Sequence, residues 1–233
     1  MRARDVPFGA GKHARLLAGA GNRAATELVA ELGLTPPADG CPVILVCGGA
    51  VELKGRPLDR ARTVIDDAVA PVAGRMGAIV VDGGTAAGAM LLTGAARVSQ
   101  PDNLPVLLGV APEGLVSYPG GPSVGVPLDS GHSHFILAPG NQWGGETRML
   151  IAVARALAGR GPVAMIVAGG GPVTRSEIAE AREHDWPMLG IDGTGGAAES
   201  SGAVRKVADA DACARQLCWE LRRDVTRRLE NAR

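Results

Sequence analysis

Two glycine-rich turns carry the residue types that bind anions. The first, Gly83-Gly84-Thr85-Ala86-Ala87-Gly88, follows an apolar run and precedes a helix-like stretch. Glycines let backbone approach a ligand closely, and free N–H groups at a helix start attract phosphate. Thr85 is placed to cap that helix or to bond a phosphate oxygen. The turn is neither GxGxxG nor GxxxxGK[ST], and a tight turn with a capping threonine needs no ligand. The second, Pro139-Gly140-Asn141-Gln142-Trp143-Gly144-Gly145-Glu146-Thr147, has the same character. Glu146 opens a helix, where the dipole favours a carboxylate whatever its role. Its functional readings are a bond to a ribose hydroxyl and general acid/base work. Trp143 offers a base-stacking surface or plain packing.

Other residues join this set. Asp82 ends an apolar run beside the glycines, where it can bond a ribose, hold Mg²⁺ beside a diphosphate, or cap the turn. His132 and His134 are two apart and share a side if both lie on a strand. With Asp129 they would give three metal ligands from one short segment, a poor geometry, so ligand-bonding or structural histidines are expected and no metal. Gly48-Gly49, Gly169-Gly170 and Asp192 also follow apolar runs. Arg97, Arg148 and Arg175 are candidate phosphate clamps. No GxSxG elbow is present.

These residues need a frame that gathers them. Pro42–Val46, Ala78–Val81, Val106–Val110, His134–Ala138, Val163–Val167 and Pro187–Ile191 are apolar runs without alternation, as strands buried on both faces require. Between them Leu58–Ala73, Ala86–Val98, Glu146–Ala158 and Ser176–His184 read as helices, and a last one runs from about Ala208 toward Leu229. Strand–helix alternation predicts an α/β fold, a Rossmann-like, doubly wound, mainly parallel sheet with helices on both faces. Its glycine-rich segments then collect on the C-terminal strand edge, where ligands of open α/β sheets bind. Ala111–Gly131 is a long Gly/Pro-rich loop, either a lid over that edge or an exposed excursion. Arg15–Leu34 has apolar residues at roughly helical spacing. Residues 1–40 are expected to form an appendage packed on a single domain of residues 41–233.

Composition narrows the field. The chain has 233 residues, 24 Lys+Arg against 24 Asp+Glu and 46% hydrophobic residues, so a packed core is affordable and no global field favours nucleic acid. Aromatics at 3% leave few platforms for single-stranded bases. The arginines from Arg222 onward read as a solvated helix face more readily than a nucleic-acid patch. Four cysteines lack CxxC spacing and are expected as unpaired thiols of a reducing, cytoplasmic compartment, Cys47 as a small buried hydrophobe. No run approaches a membrane span, and the first ten residues lack a signal-like apolar region.

The Gly83–Met90 turn resembles the GGGxxGxM-type turn of the SLOG superfamily, the group of DprA-like and LOG-like Rossmannoid domains. The Pro139–Thr147 turn resembles its second, PGGxGT-type turn. "AIVVDGGT" (78–85), "HSHFILAPG" (132–140) and "WGGET" (143–147) occur in the order of its LSDAT branch, relatives of the N-terminal region of melastatin-type TRP channels. The likeness spans roughly Val43 to Ile191. It implies binding or sensing of a nucleotide-derived ligand, of the ADP-ribose, cyclic ADP-ribose or NAD kind, with no further cofactor required. It also implies effector coupling; a homo-oligomer (a dimer) and a separate effector protein are the expected partners. LOG relatives hydrolyse nucleotide N-glycosidic bonds through a PGGxGTxxE glutamate. Here Asn141 replaces a glycine, Glu146 precedes Thr147, and Met149 and Leu150 occupy the glutamate's region. The departure favours binding without turnover, with Glu146 as the candidate catalytic carboxylate of the alternative. A scaffold with a degenerate cleft is the third reading.

Overall fold

The structure, a computed structural model, describes residues 2–49 and 53–231, the last nine as backbone alone. Strands β3 (Val43–Gly48), β4 (Ile79–Asp82), β5 (Leu107–Pro112), β8 (His134–Ala138), β9 (Val163–Ala168) and β10 (Met188–Ile191) arise where the apolar runs lie. With β1 (Arg4–Gly9), β2 (Lys12–Leu17) and β11 (Arg205–Val207) they make one sheet of order β1-β2-β8-β5-β4-β3-β9-β10-β11. Every neighbouring pair is parallel except β1–β2. The chain builds outward from β3 through β4 and β5 to β8, then returns to β9 on the other side of β3. This reversal between β3 and β9 is where open α/β sheets form a crevice.

Alternate residues of the central strands feed two cores, because a strand's side chains alternate between faces. Val43, Leu45 and Cys47 of β3 enter the core under α1 (Ala25–Glu31), α5 (Thr147–Ala158), α6 (Pro172–Arg182) and α7 (Gly196–Ser200). Ile44 and Val46 enter the opposite core, under α2 (Arg56–Val64), α3 (Ala70–Met76), α4 (Gly88–Ser99) and α8 (Ala210–Asn231). The sheet is thus covered on both faces, as the unalternating runs require. The single helix expected over Leu58–Ala73 is interrupted by a π-turn at Ile65–Val69. Pro71, which lacks an N–H, opens the ladder just after it.

The N-terminal segment corrects the sequence reading. Arg15 to Leu34 is not one helix. Lys12–Leu17 is a strand that pairs with β8, and only Ala25–Glu31 is helical. Ala14 and Leu16 are buried while His13 and Arg15 are exposed, a period of two that the neighbouring leucines obscure. Arg4–Leu17 thus extends the sheet, and the short helix α1 packs over the core that α5 covers.

The 111–131 loop is partly built. Short strands β6 (Val116–Ser117) and β7 (Val126–Pro127) pair within it. Val116, Leu128 and Tyr118 cover Phe135, Leu137 and Leu16 on the β2–β8 side of the sheet. The expected basic face of the last helix lies outside the described side chains from residue 223 onward. No helix among the described residues is long and apolar enough to cross a membrane.

Candidate functional site

The crevice is built over the end of β3. Gly49 sits against Gly170, and a Cβ at Gly49 would lie 3.4 Å from the Gly170 nitrogen. Helix α4 begins beside them, with the Ala89 N–H reaching the Gly49 carbonyl at 3.4 Å. The α5 entry turn lies against the first turn of α6, since a Cβ at Gly144 would meet Val173 at 3.5 Å. Among the described residues none of α4, α5 and α6 has a side-chain cap at its first turn. Their N–H dipoles thus end on one edge without an internal acceptor side chain.

Glu146 and Thr147 are the polar residues that α5 brings to this edge. Glu146 precedes the helix, and its Oε2 accepts the Gly144 N–H at 2.8 Å, which holds the turn. It is 6% exposed, and burial raises its pKa against the pull of the Gly144 and Glu146 N–H groups. Thr147 shares the buried stripe of Leu150, Ile151 and Ala154, so it faces the sheet at the helix's first turn. It is 4% exposed, and its hydroxyl has no hydrogen-bond partner among the described residues.

Glu177 completes the group, and nothing in its sequence surroundings singled it out. It lies on the buried stripe of α6 with Thr174, Ile178 and Ala181, 8% exposed. Its carboxyl lies near the Cys47 thiol at the end of β3. Burial raises Glu177, the Cys47 thiol opposes this, and the charges of Glu146 and Asp82 add to it, leaving a pKa of about 7. Cys47 is pushed well above the ordinary thiol value by burial and by Glu177. The periodic signal that could have found Glu177 is a charge at an apolar position of α6's stripe.

Several expected residues are placed otherwise. Asp82 is fully buried, and its oxygens are taken by the Gly84 N–H (2.7 Å), the His132 ring (2.7 Å) and the Thr93 hydroxyl. It braces the Gly83–Gly84 turn from inside rather than facing the crevice. Gly84 (φ +69°) is needed for packing, because a Cβ there would lie 2.9 Å from the Gly109 Cα. Gly83 has room for a side chain, meeting only Met90 at 3.6 Å. Thr85 does not cap α4, which starts at Gly88 after Ala87; it is buried and bridges to Leu128. His132 and His134 do not act together. His132 precedes β8 and is held by Asp82 and Asp129, while His134 starts β8 opposite Arg15 and bonds the Ser133 hydroxyl at 2.8 Å. His134 thus begins the strand that Pro139 and Gly140 leave, away from the turn. Burial, Arg15 and Arg97 lower its pKa to about 4.

Pro139 and Gly140 are exposed at the crevice rim, and Trp143 beside them is 47% exposed. Gly48 is packed onto β9, where a Cβ would lie 2.3 Å from the Ala168 carbonyl oxygen. The Gly169 and Gly170 carbonyls accept the Ala198 (2.9 Å) and Ala197 (2.8 Å) N–H groups, which ties this turn to α7. Asp192 stands one strand further out, after β10, and its N–H bonds the Val207 carbonyl. Arg97 donates to the Gly131 carbonyl and Arg175 to Ser200, while Arg148 is exposed near Glu180. Among the described residues no group of three His, Cys, Asp or Glu is arranged to hold a metal ion.

The chain belongs to the prokaryotic family described as SLOG in TRPM, whose sequence model matches residues 41–223. The match runs past Ile191 into α8, further than the likeness in the turns suggested. In structure the chain is similar to TM1055, solved by X-ray as a structural-genomics target, at 15% identity and a TM-score of 0.55. The likeness covers 76% of this chain and 98% of that one. It is also similar to the molybdenum cofactor carrier protein of Chlamydomonas reinhardtii, at 18% identity and a TM-score of 0.50, covering 76% of this chain and 98% of that one. Both share the Rossmann-like fold. No curated protein sequence matches the chain.

Proposed function

We propose that the protein binds a nucleotide-derived ligand, of the ADP-ribose, cyclic ADP-ribose or NAD kind, in the crevice between β3 and β9. The observation that carries this is the Thr147 hydroxyl, without a partner among the described residues, at the start of α5 beside the start of α6, both uncapped among those residues. Phosphate oxygens would take the helix N–H groups and the Thr147 hydroxyl. Ribose hydroxyls would donate to Glu146. Trp143, half exposed on the rim, is placed to cover a base. Family membership supports the reading. A homodimer and a separate effector protein belong to the same reading. Calorimetric titration with ADP-ribose, NAD and AMP tests it. Binding of at least one is expected, weakened in Trp143→Ala with unchanged melting; no heat with any of them contradicts it.

A further inference from the structure

Helix α8 lies on the other face of the sheet from α5 and α6, with Cys213, Leu217 and Leu221 in the core there. Its outer side presents Arg215, Trp219 and Arg222, four and three residues apart, so the three share one exposed stripe. Trp219 is 49% exposed and stands between two concave spaces. One, of about 780 Å³, runs toward α3 and is lined by Arg75, Arg215, Trp219 and Arg222, with Asp67 and Asp211. The other, of about 430 Å³, runs toward the edge strand β11, where Arg205 joins Arg215 and Trp219. The guanidinium groups of Arg75, Arg205, Arg215 and Arg222 form no hydrogen bond or ion pair among the described residues. Glu220 of the same helix is engaged elsewhere, accepting the Gln216 amide at 2.8 Å. Four guanidinium groups against two carboxylates make this face positive on a chain whose formal net charge is zero.

The chemistry of the face selects among anionic partners. Phosphates are favoured where backbone N–H groups point outward at a helix start. The flank of a helix offers none, because its N–H groups are spent within the helix. A single-stranded nucleic acid stacks successive bases on successive aromatics, and no described aromatic besides Trp219 lines either space. A membrane surface takes up the apolar face of a helix, and that face of α8 is turned to the core. Carboxylates fit the planar guanidinium fork with two parallel hydrogen bonds. Trp and Arg are also the side chains that anchor protein interfaces. We propose that this face docks a partner protein through an acidic segment. Carboxylates of the segment pair with Arg75, Arg215 and Arg222, and an apolar side chain between them packs on Trp219. Arg215 and Arg222 are about 10 Å apart along the helix axis, which sets the spacing of the acids they take. Docking here leaves the crevice open, so it stands or fails independently of the ligand reading.

The test uses the full chain and a fluorescein-labelled peptide of glutamates and leucines, read by fluorescence anisotropy. Saturable binding is expected, weakening as salt rises, because exposed charges are screened. Trp219→Ala is expected to weaken it by about tenfold, the loss of an interface anchor. Arg215→Glu is expected to weaken it by about 10²-fold, since like charges set across an interface repel. Both variants should melt as the wild type does, because both side chains are exposed. Arg160→Glu makes the same charge change on an exposed residue beyond α5, on the other face of the sheet, and should leave binding unchanged. The peptide with lysines for glutamates should not bind. No binding of the acidic peptide, or binding that Trp219→Ala and Arg215→Glu leave intact, overturns the proposal. Tighter binding of an oligothymidylate or of phosphatidylserine vesicles, weakened by the same substitutions, overturns it in favour of a nucleic acid or a membrane. A dimer in native mass spectrometry that Arg215→Glu dissociates overturns it in favour of a second copy of the chain.

Discussion

The Nε2 atom of His132 lies 2.7 Å from Oδ1 of Asp82, across fifty residues of sequence. Its other ring nitrogen meets Asp129 at 2.9 Å, and the ring stacks on Phe135 with centroids 5.3 Å apart. The bridge joins the end of β4, the end of the 111–131 loop and the start of β8. Burial opposes the imidazolium, but the two carboxylates outweigh it and raise its pKa from 6.5 to about 9. A raised folded pKa means that the charged form stabilises the fold. That contribution is complete below pH 6.5 and is lost as pH rises through about 9. Its size is on the order of 3 kcal/mol. Urea denaturation at pH 6.5, 8 and 9.5 should show this decline, and His132→Asn should lack it. At neutral pH that variant leaves two buried carboxylates without a cation and should lose about 3–5 kcal/mol.

Gly94 of α4 sets how close that helix can come to the bridge. A Cβ there would lie 1.7 Å from Asp129 Oδ2, so Gly94→Ala must displace the carboxylate or the helix. A loss of about 3 kcal/mol is expected from overpacking and a disturbed bridge. Gly171→Ala is the control, because nothing lies within 4 Å of its Cβ position and its φ is −108°. It should stay within about 0.5 kcal/mol of wild type in the same denaturation series.

The central sheet was legible because its strands are apolar without alternation, and both core faces follow from that one property. Val43–Gly48 and Val163–Ala168 differ from the sequence reading only at their ends. The hairpin Arg4–Leu17 was not legible. Its alternation of Ala14 and Leu16 with Arg15 is short, and Leu16–Leu17 with Leu28–Val29 imitates helical spacing. In the candidate site, the place of Glu146 and Thr147 at a helix start was legible from their turn, since glycines and a helix start announce themselves locally. Glu177 was not, because its neighbours Cys47 and Glu146 meet it only in three dimensions. Asp82 looked like a ligand residue beside its glycines. Its use by His132 and Thr93 depends on contacts from distant segments that no local pattern records.

Thr147→Val separates ligand binding from folding. The hydroxyl has no partner among the described residues, so its removal should leave stability unchanged or raise it by up to about 1 kcal/mol. Losing one hydrogen bond to the ligand should weaken binding by roughly five- to tenfold. Thermal melting and calorimetric titration of the same preparation check both parts.

The cysteines report on the crevice floor. All four are free; Cys47 and Cys213 are buried, while Cys41 and Cys218 are partly exposed. Burial raises Cys213 to about 12 and holds Cys47 well above the ordinary thiol value, so neither offers a thiolate near neutrality. A thiol-specific chromophoric reagent at pH 7.5 should leave both unlabelled in the native protein and label all four after denaturation. Rapid native labelling of Cys47 would show that the floor under Glu177 is open.

The central claim is a ligand held where α5 and α6 begin over β3. Calorimetric titration of wild type and Thr147→Val with ADP-ribose, NAD and AMP measures it most directly. The predicted result is saturable one-site binding of at least one compound by wild type, weakened in the variant with no loss of melting temperature. Binding that is equal in the two proteins, or absent from wild type for all three compounds, would contradict it.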